Sequence, residues 1–243
     1  MNDFLLEIYG EEIPTSCQSL MKSQFRQIFE SFFLKEKISF SELEVYSTSR
    51  RICILAKQLL KKKISKKTEI RGPRTSANEI ALDGFMRSNN VKDIKYLKKK
   101  VVNGKEYFFF HKESTDKKIE EILNINIPKI LTDIKWKKSM RWASFSEKWI
   151  RPIKNIFCIY GEKTINFNYA GISTSNFFYG NYHYSTNQIK CTNVDSYKKK
   201  LKEKFVEIDG EDRKKSIYKQ LDNFCKKKNL IYKFSDTLVT KVS

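Results

Sequence analysis

The sequence predicts an α+β protein on three observations. A short apolar run at residues 4–9 stands just before a stretch, residues 16–35, whose apolar side chains recur at helical spacing. Asn103-Gly104 separates two strand-like runs, the strongest short-range hairpin signal a chain carries. Residues 196–243 are lysine-rich, with apolar residues at helical offsets. The expected order is an early helix-on-sheet unit (1–60), an inserted basic helix and hairpin segment (61–135), a second β-rich unit (136–195) and a helical carboxy-terminal stretch (196–243).

Residues 4–9 read as a buried strand containing Glu7 and bounded by Gly10. Glu11 and Glu12 precede Pro14, Thr15 and Ser16. Acids are favourable beside a helix start and proline suits a first turn, although paired carboxylates also serve acid–base chemistry. Met21, Phe25, Ile28, Phe29 and Phe32 fall on one helical face, which Phe33 and Leu34 widen. Residues 40–46 and 51–60 read as strands joined around Ser47-Thr48-Ser49. Adjacent strand residues point to opposite faces. Of Arg50 and Arg51, one is therefore a candidate phosphate contact and the other a partner for an internal carboxylate.

A lysine-rich segment from Lys61 is the clearest linker candidate and leads to Arg71-Gly72-Pro73-Arg74, expected as a basic loop. Two readings stand there: solvated charge, or a rigid turn that presents Arg71 and Arg74 to phosphate. Residues 77–88 predict a helix through Ile80, Leu82, Phe85 and Met86. The aromatic run 107–110 is either a buried strand or a platform for bases. Ile119, Ile122 and Leu123 share a helical face, and Pro128 is expected to start a second helix running to Trp136.

All three tryptophans, Trp136, Trp142 and Trp149, lie within fourteen positions, interleaved with Arg141 and Arg151. Such a stretch either anchors a core corner, with the arginines capping carbonyls, or holds planar cations and amphipathic rings against a charged partner. Residues 153–160 read as a strand, 161–163 as a turn and 164–169 as the returning strand, which places Arg151 at the base of a ribbon. Residues 197–205 and 210–227 predict helices.

Forty-eight Lys and Arg against 28 Asp and Glu give a net charge of +20. A polyanionic partner, nucleic acid before membrane, accounts for such an excess. An AT-rich coding sequence, which favours Lys, Asn and Ile together, accounts for it as well. Aromatic content of 14% argues for a folded chain. The five cysteines are far apart and without a Cys-x-x-Cys pair, so they read as buried thiols of a reducing compartment. No apolar run approaches bilayer length and the amino terminus carries acids, so a cytoplasmic protein without a membrane partner is expected. There is no phosphate-binding glycine loop, no dinucleotide fingerprint and no paired histidine, His111 and His183 being the only two. An independent hydrolase or metalloenzyme is poorly supported, and no catalytic or metal residue is assigned.

In order and separation, the stretches at Gly10 to Pro14 (without a spacer residue), Ser49 to Ile52, Gly72-Pro73, Met140 to Trp142 and Trp149-Ile150-Arg151-Pro152-Ile153 resemble the amino-terminal part of the beta subunit of bacterial tetrameric glycyl-tRNA synthetase. That family next carries Gly-His-Arg-Phe, where this chain reads Gly180-Asn181-Tyr182-His183 and keeps only the glycine. The resemblance implies a subunit of an aminoacyl-tRNA ligase that is not catalytic alone. It would bind glycine tRNA and assemble with the alpha subunit as an alpha2beta2 tetramer. ATP and magnesium would be used through the alpha subunit, with no cofactor held by this chain and no DNA partner. Arg50, Arg51, Arg71, Arg74, Arg141 and Arg151 are the candidate tRNA contacts; Gly10, Glu11, Glu12, Pro14, Gly72, Pro73, Met140, Trp142, Pro152 and Gly180 are structural. The resemblance further implies a chain that stops inside an element and lacks the later helical and anticodon-binding domains, a shortened protein being the alternative. A stand-alone RNA-binding protein is the competing function, and a scaffold for subunit assembly a third.

Overall fold

In the computed structural model, which describes residues 2–61, 67–113, 117–136, 138–233 and 236–242, the first strand β1 (Asn2–Gly10) is buried on both faces from Phe4 onward. The helix α1 (Thr15–Lys35) follows and buries Met21, Phe25, Phe29, Phe32 and Phe33, the face read from sequence. Leu34 does not widen that face, being 80% exposed, because it lies one residue past the apolar stripe. The first turn of α1 holds no acid, so Glu11 and Glu12 do not serve its dipole from within. Three strands come next: β2 (Ile38–Ser39), β3 (Glu42–Thr48) and β4 (Arg51–Lys61). Strand β4 pairs antiparallel with both β1 and β3.

Residues Lys63–Lys117 form a compact unit of their own. Of the linker lysines expected before it, Lys62, Lys63 and Lys66 lie outside the described residues. The unit consists of β5 (Lys67–Arg74), α2 (Glu79–Ser88), a 3-10 turn at Ile94–Tyr96, β6 (Leu97–Val102) and β7 (Lys105–Glu113). The three strands make an antiparallel sheet in the order β5-β7-β6. Asn103 and Gly104 both take positive φ, 53° and 72°, which a tight right-twisted hairpin requires. The expected basic loop at Arg71 to Arg74 is instead the end of β5. Pro73 is tolerated because β5 is an edge strand and its register shifts between Arg71 and Arg74. Gly72 is needed there: a Cβ at this position would stand 2.8 Å from the Phe85 ring of α2.

The chain then returns to the first unit, Met1–Lys62 with Lys118–Ser243. A single helix, α3 (Ile119–Asp133), runs through Pro128, where a new helix was expected to begin. Its buried face continues unbroken across the proline as Ile119, Ile122, Leu123, Ile127, Ile130 and Leu131, and this burial outweighs the lost backbone bond. Strand β8 (Ile153–Tyr160) follows. After it come β9 (Lys163–Thr164), β10 (Asn168–Tyr169), β11 (Ile172–Ser175), β12 (Phe177–Tyr179) and β13 (Gln188–Lys190). Three helices close the chain: α4 (Val194–Glu203), α5 (Gly210–Lys228) and α6 (Asp236–Val242).

Strand β8 pairs antiparallel with β1 on the side away from β4, so the main sheet runs β10-β11-β8-β1-β4-β2. Period-two alternation divides its centre into two cores. Phe4, Leu6, Ile8, Ile54 and Ile156 join the apolar residues of α1 and α3 in one cluster. Leu5, Cys53, Leu55, Phe157 and Ile159 join Phe178, Val194, Tyr197 and Leu201 in the other. A central strand covered on both faces reads as the continuous apolar run seen at residues 4–9. Among the described residues no helix is long and apolar enough to cross a membrane.

Candidate nucleic-acid interface

Motifs far apart in sequence meet where β1 ends. The Gly10 nitrogen donates to the Arg50 carbonyl (2.9 Å), Ile13 to Ser49 (2.6 Å) and Glu11 to the Pro152 carbonyl (3.0 Å). Gly10 is required by this approach, since a Cβ there would come within 2.5 Å of the Pro152 oxygen. Met140 and Trp149 form an antiparallel bridge through two backbone bonds of 2.8 and 3.1 Å. Trp149 is buried against Phe25, Trp136 and Tyr169, while Trp142 packs half-buried at the edge of the same core.

Beside this junction lies a cleft of about 650 Å³. The first two turns of α1 supply Thr15, Ser19 and Lys22 to it, and the β3–β4 turn supplies Thr48, Ser49 and Arg50. Asn181, Tyr182 and His183 follow from the segment after β12, and Lys214 from α5. Hydroxyls and cations are the groups that contact phosphate and sugar, and they line this cleft together with the carboxylates of Glu12, Glu207 and Glu211. Arg50 sits over the Tyr182 ring at 4.1 Å and pairs with Glu11 at 3.2 Å. Lys154 pairs with the same carboxylate at 2.6 Å and lies 6.0 Å from the same ring. The hydrogen bond from Lys154 holds the Glu11 carboxyl below the usual carboxylate range, and Glu11 raises Lys154 in return. Two cations thus share one anion beside the cleft.

Arg51 has the opposite fate. It is 2% exposed, and its guanidinium donates to Glu7 (3.1 Å) and to the carbonyls of Tyr179 (3.0 Å) and Gly180 (2.9 Å). Burial acts against its charge, but the Glu7 carboxylate, together with Tyr197, Cys53 and Tyr9, offsets this and its pKa rises. Glu7 also accepts from the Tyr197 hydroxyl, which lies 2.9 Å from the Cys53 sulfur. Burial raises the Glu7 carboxyl, with Arg51 opposing. Arg51 is thus the internal member of the arginine pair, and it fixes the backbone from which Tyr182 projects. Glycine is needed at position 180, since a Cβ there would come within 2.7 Å of Lys204 Cβ. Burial lifts the Cys53 and Cys158 thiols well above their ordinary value and Cys191 to about 11, so none of the three is an activated nucleophile.

Two further candidate arginines share this unit but not the cleft. Arg141 and Arg151 are exposed and are not among its lining residues; an Nη1 proton of Arg151 goes to the Ile150 carbonyl at 3.2 Å. In the smaller unit, Arg71 lies over the Tyr107 ring at 3.8 Å and Arg74 Nε donates to the Tyr107 hydroxyl at 3.2 Å. Sequence reasoning missed Lys22, Lys154 and Lys214. Lys154 directly follows the Trp149-to-Ile153 motif and could have been found from it, whereas Lys22 and Lys214 look like any solvated helix lysine. Among the described residues no cluster of His, Cys, Asp or Glu could hold a metal ion.

A family model described as glycyl-tRNA synthetase beta subunit matches residues 4–243. The glycine–tRNA ligase beta subunit of Rickettsia felis is 32% identical over 245 residues, covering 100% of this chain and 37% of its own length. That of Rickettsia bellii is 32% identical over 243 residues with the same coverage, and that of Rickettsia africae 31% over 242 residues, covering 100% of this chain and 36% of its own. This chain therefore spans little more than a third of the curated relatives it matches. With the family model matching residues 4–243, the chain belongs to the glycyl-tRNA synthetase beta subunit family.

Proposed function

We propose that this chain is the amino-terminal portion of the beta subunit of a cytoplasmic glycine–tRNA ligase, and that it contributes tRNA binding and assembly with an alpha subunit as an alpha2beta2 tetramer. The observation that carries this reading is the family match over residues 4–243. Glycine is joined to tRNA at the expense of ATP, with ATP and magnesium handled by the alpha subunit and no cofactor held here. The cleft supports the tRNA role: Arg50 and Lys154 supply directed and diffuse charge for phosphates, Thr48 and Ser49 supply hydroxyl donors, and Tyr182 offers a ring to an exposed base. Exposed Met140 and Phe145, on the segment that bridges to Trp149, suit a subunit contact.

Glycylation of tRNA by purified alpha subunit, alone, with this chain and with a chain of full family length, tests the proposal. Stimulation by the full-length chain that is lowered at least tenfold by Arg50→Ala with Lys154→Ala supports it. Full stimulation by that double variant would remove the cleft from tRNA binding. Tight RNA binding without any stimulation by either chain would favour a stand-alone RNA-binding protein.

A further inference from the structure

The three-stranded sheet of the smaller unit has two unlike faces. One carries Phe108, which clusters with Val91 and Leu97, and Leu82, Phe85 and Met86 of α2 pack against them. The other face is set by register: Phe109 lies between Arg71 and Lys98, and Tyr107 lies between Arg74 and Lys100. Arg71, Arg74, Lys98 and Lys100 are all exposed, with Tyr107 half-buried among them. Glu69 shares this face but is already engaged by Lys100 and by His111 at 3.5 Å. The face is therefore cationic around an aromatic centre in which Phe109 is buried (8% exposed) and Tyr107 is the partly exposed ring. Cations there sit on rings instead of pointing apart: Arg71 is 3.8 Å from the Tyr107 centroid and Lys100 Nζ is 5.6 Å from that of Phe109.

A duplex is recognised by its shape, phosphates and 2′-hydroxyls, and its stacked bases offer no free faces to rings at the centre of a sheet. Unpaired nucleotides need both, because their bases stack on aromatic rings or guanidinium planes while their phosphates seek nearby cations. We propose that this sheet face is a binding platform for unpaired ribonucleotides, with one base stacked on the Tyr107–Arg71 pair and the adjoining phosphates held by Arg74 and Lys98. The platform deepens the tRNA-binding reading by assigning a single-stranded part of the RNA to this unit, but it rests on that reading only for the identity of the RNA.

The test uses a short, unstructured, fluorescently labelled oligoribonucleotide and a hairpin duplex of equal nucleotide count, titrated with the whole chain. The single strand is expected to bind about tenfold more tightly. Tyr107→Ala and Arg71→Glu should each weaken it about fivefold or more, whereas Tyr107→Phe, which keeps the ring, should not. Equal binding by Tyr107→Ala, or preference for the duplex, overturns the proposal. Photocross-linking to the unmodified chain needs no variant to fold: adducts on peptides from residues 97–111 support the platform, and adducts confined to cleft residues overturn it. Loss of glycylation support with Tyr107-dependent oligonucleotide binding intact would sink the ligase reading alone. Arg50-dependent tRNA binding with no effect at Tyr107 on either probe would sink the platform alone.

Discussion

Arg50 and Arg51 are neighbours in sequence, but one residue of chain separates a turn that borders the cleft from the first position of β4, which faces the second core. Their substitutions should therefore have opposite profiles. Removing the Arg51 guanidinium leaves the fully buried Glu7 without its ion-pair partner, so Arg51→Met is expected to cost about 3 kcal/mol or more, read from the urea midpoint. Arg50 is an accessible member of a shared ion pair, so Arg50→Met should change stability by less than about 1 kcal/mol while lowering tRNA affinity. A stability loss at Arg50 equal to that at Arg51 would contradict the assignment. Glu11 adds a pH signature. Its folded pKa lies below the ordinary 4.5, so its contribution is complete above that value and is lost as pH falls through the folded value. Wild type should consequently exceed Glu11→Gln in stability at neutral pH and converge with it on the acid limb. The difference will be small, because the carboxylate and Lys154 both face solvent.

Elements followed the sequence where their stabilisation is local and departed from it where tertiary contacts dominate. The apolar stripe of α1, the Asn103-Gly104 hairpin and the bounds of β8 were legible because spacing or turn chemistry specifies each by itself. The partners of β1 were not, since alternation says that a strand is buried without saying that residue 5 meets both residue 55 and residue 159. Arg50 and Gly10 could be singled out from motifs, but the Glu11–Lys154 pair depends on a strand pairing that local patterns do not encode. Pro128 was read as the start of a second helix and Gly72 as a breaker, yet each sits inside an element, and substitution tests why. Pro128→Ala should stabilise the fold by about 1 kcal/mol or more, because it restores a backbone donor to the Asn124 carbonyl in the middle of α3; a lower urea midpoint would mean that the proline ring packs better than its partial exposure suggests. Gly72→Ala should act the other way, by about 1 to 3 kcal/mol, through the Phe85 ring it would meet. Hydrogen exchange over residues 67–113 reads that loss directly.

For the whole chain, a net charge of +20 sets the sign of long-range attraction to RNA but not the number of phosphates engaged. The two are separable by salt. Each phosphate neutralised adds roughly 0.7 to 0.9 to the magnitude of the slope of log affinity against log salt, so use of all the excess charge would give a slope of at least about −14. Cations that merely solvate the surface contribute nothing to it. The cleft offers Lys22, Arg50 and Lys214, with Lys154 beside it, for a slope of about −3 to −4, to which the smaller unit adds its own contacts. The double variant Arg50→Ala, Lys154→Ala should therefore reduce the magnitude of the slope for tRNA by about 1.5. Neutralising two lysines of α5 that lie outside the cleft, Lys215 and Lys219, lowers net charge equally and should leave the slope nearly unchanged. If both pairs reduce it alike, binding is a property of total charge and the cleft has no special part in it; if only the first does, the convergence of the Gly10, Arg50 and Pro152 motifs is what places two directed cations against the RNA backbone.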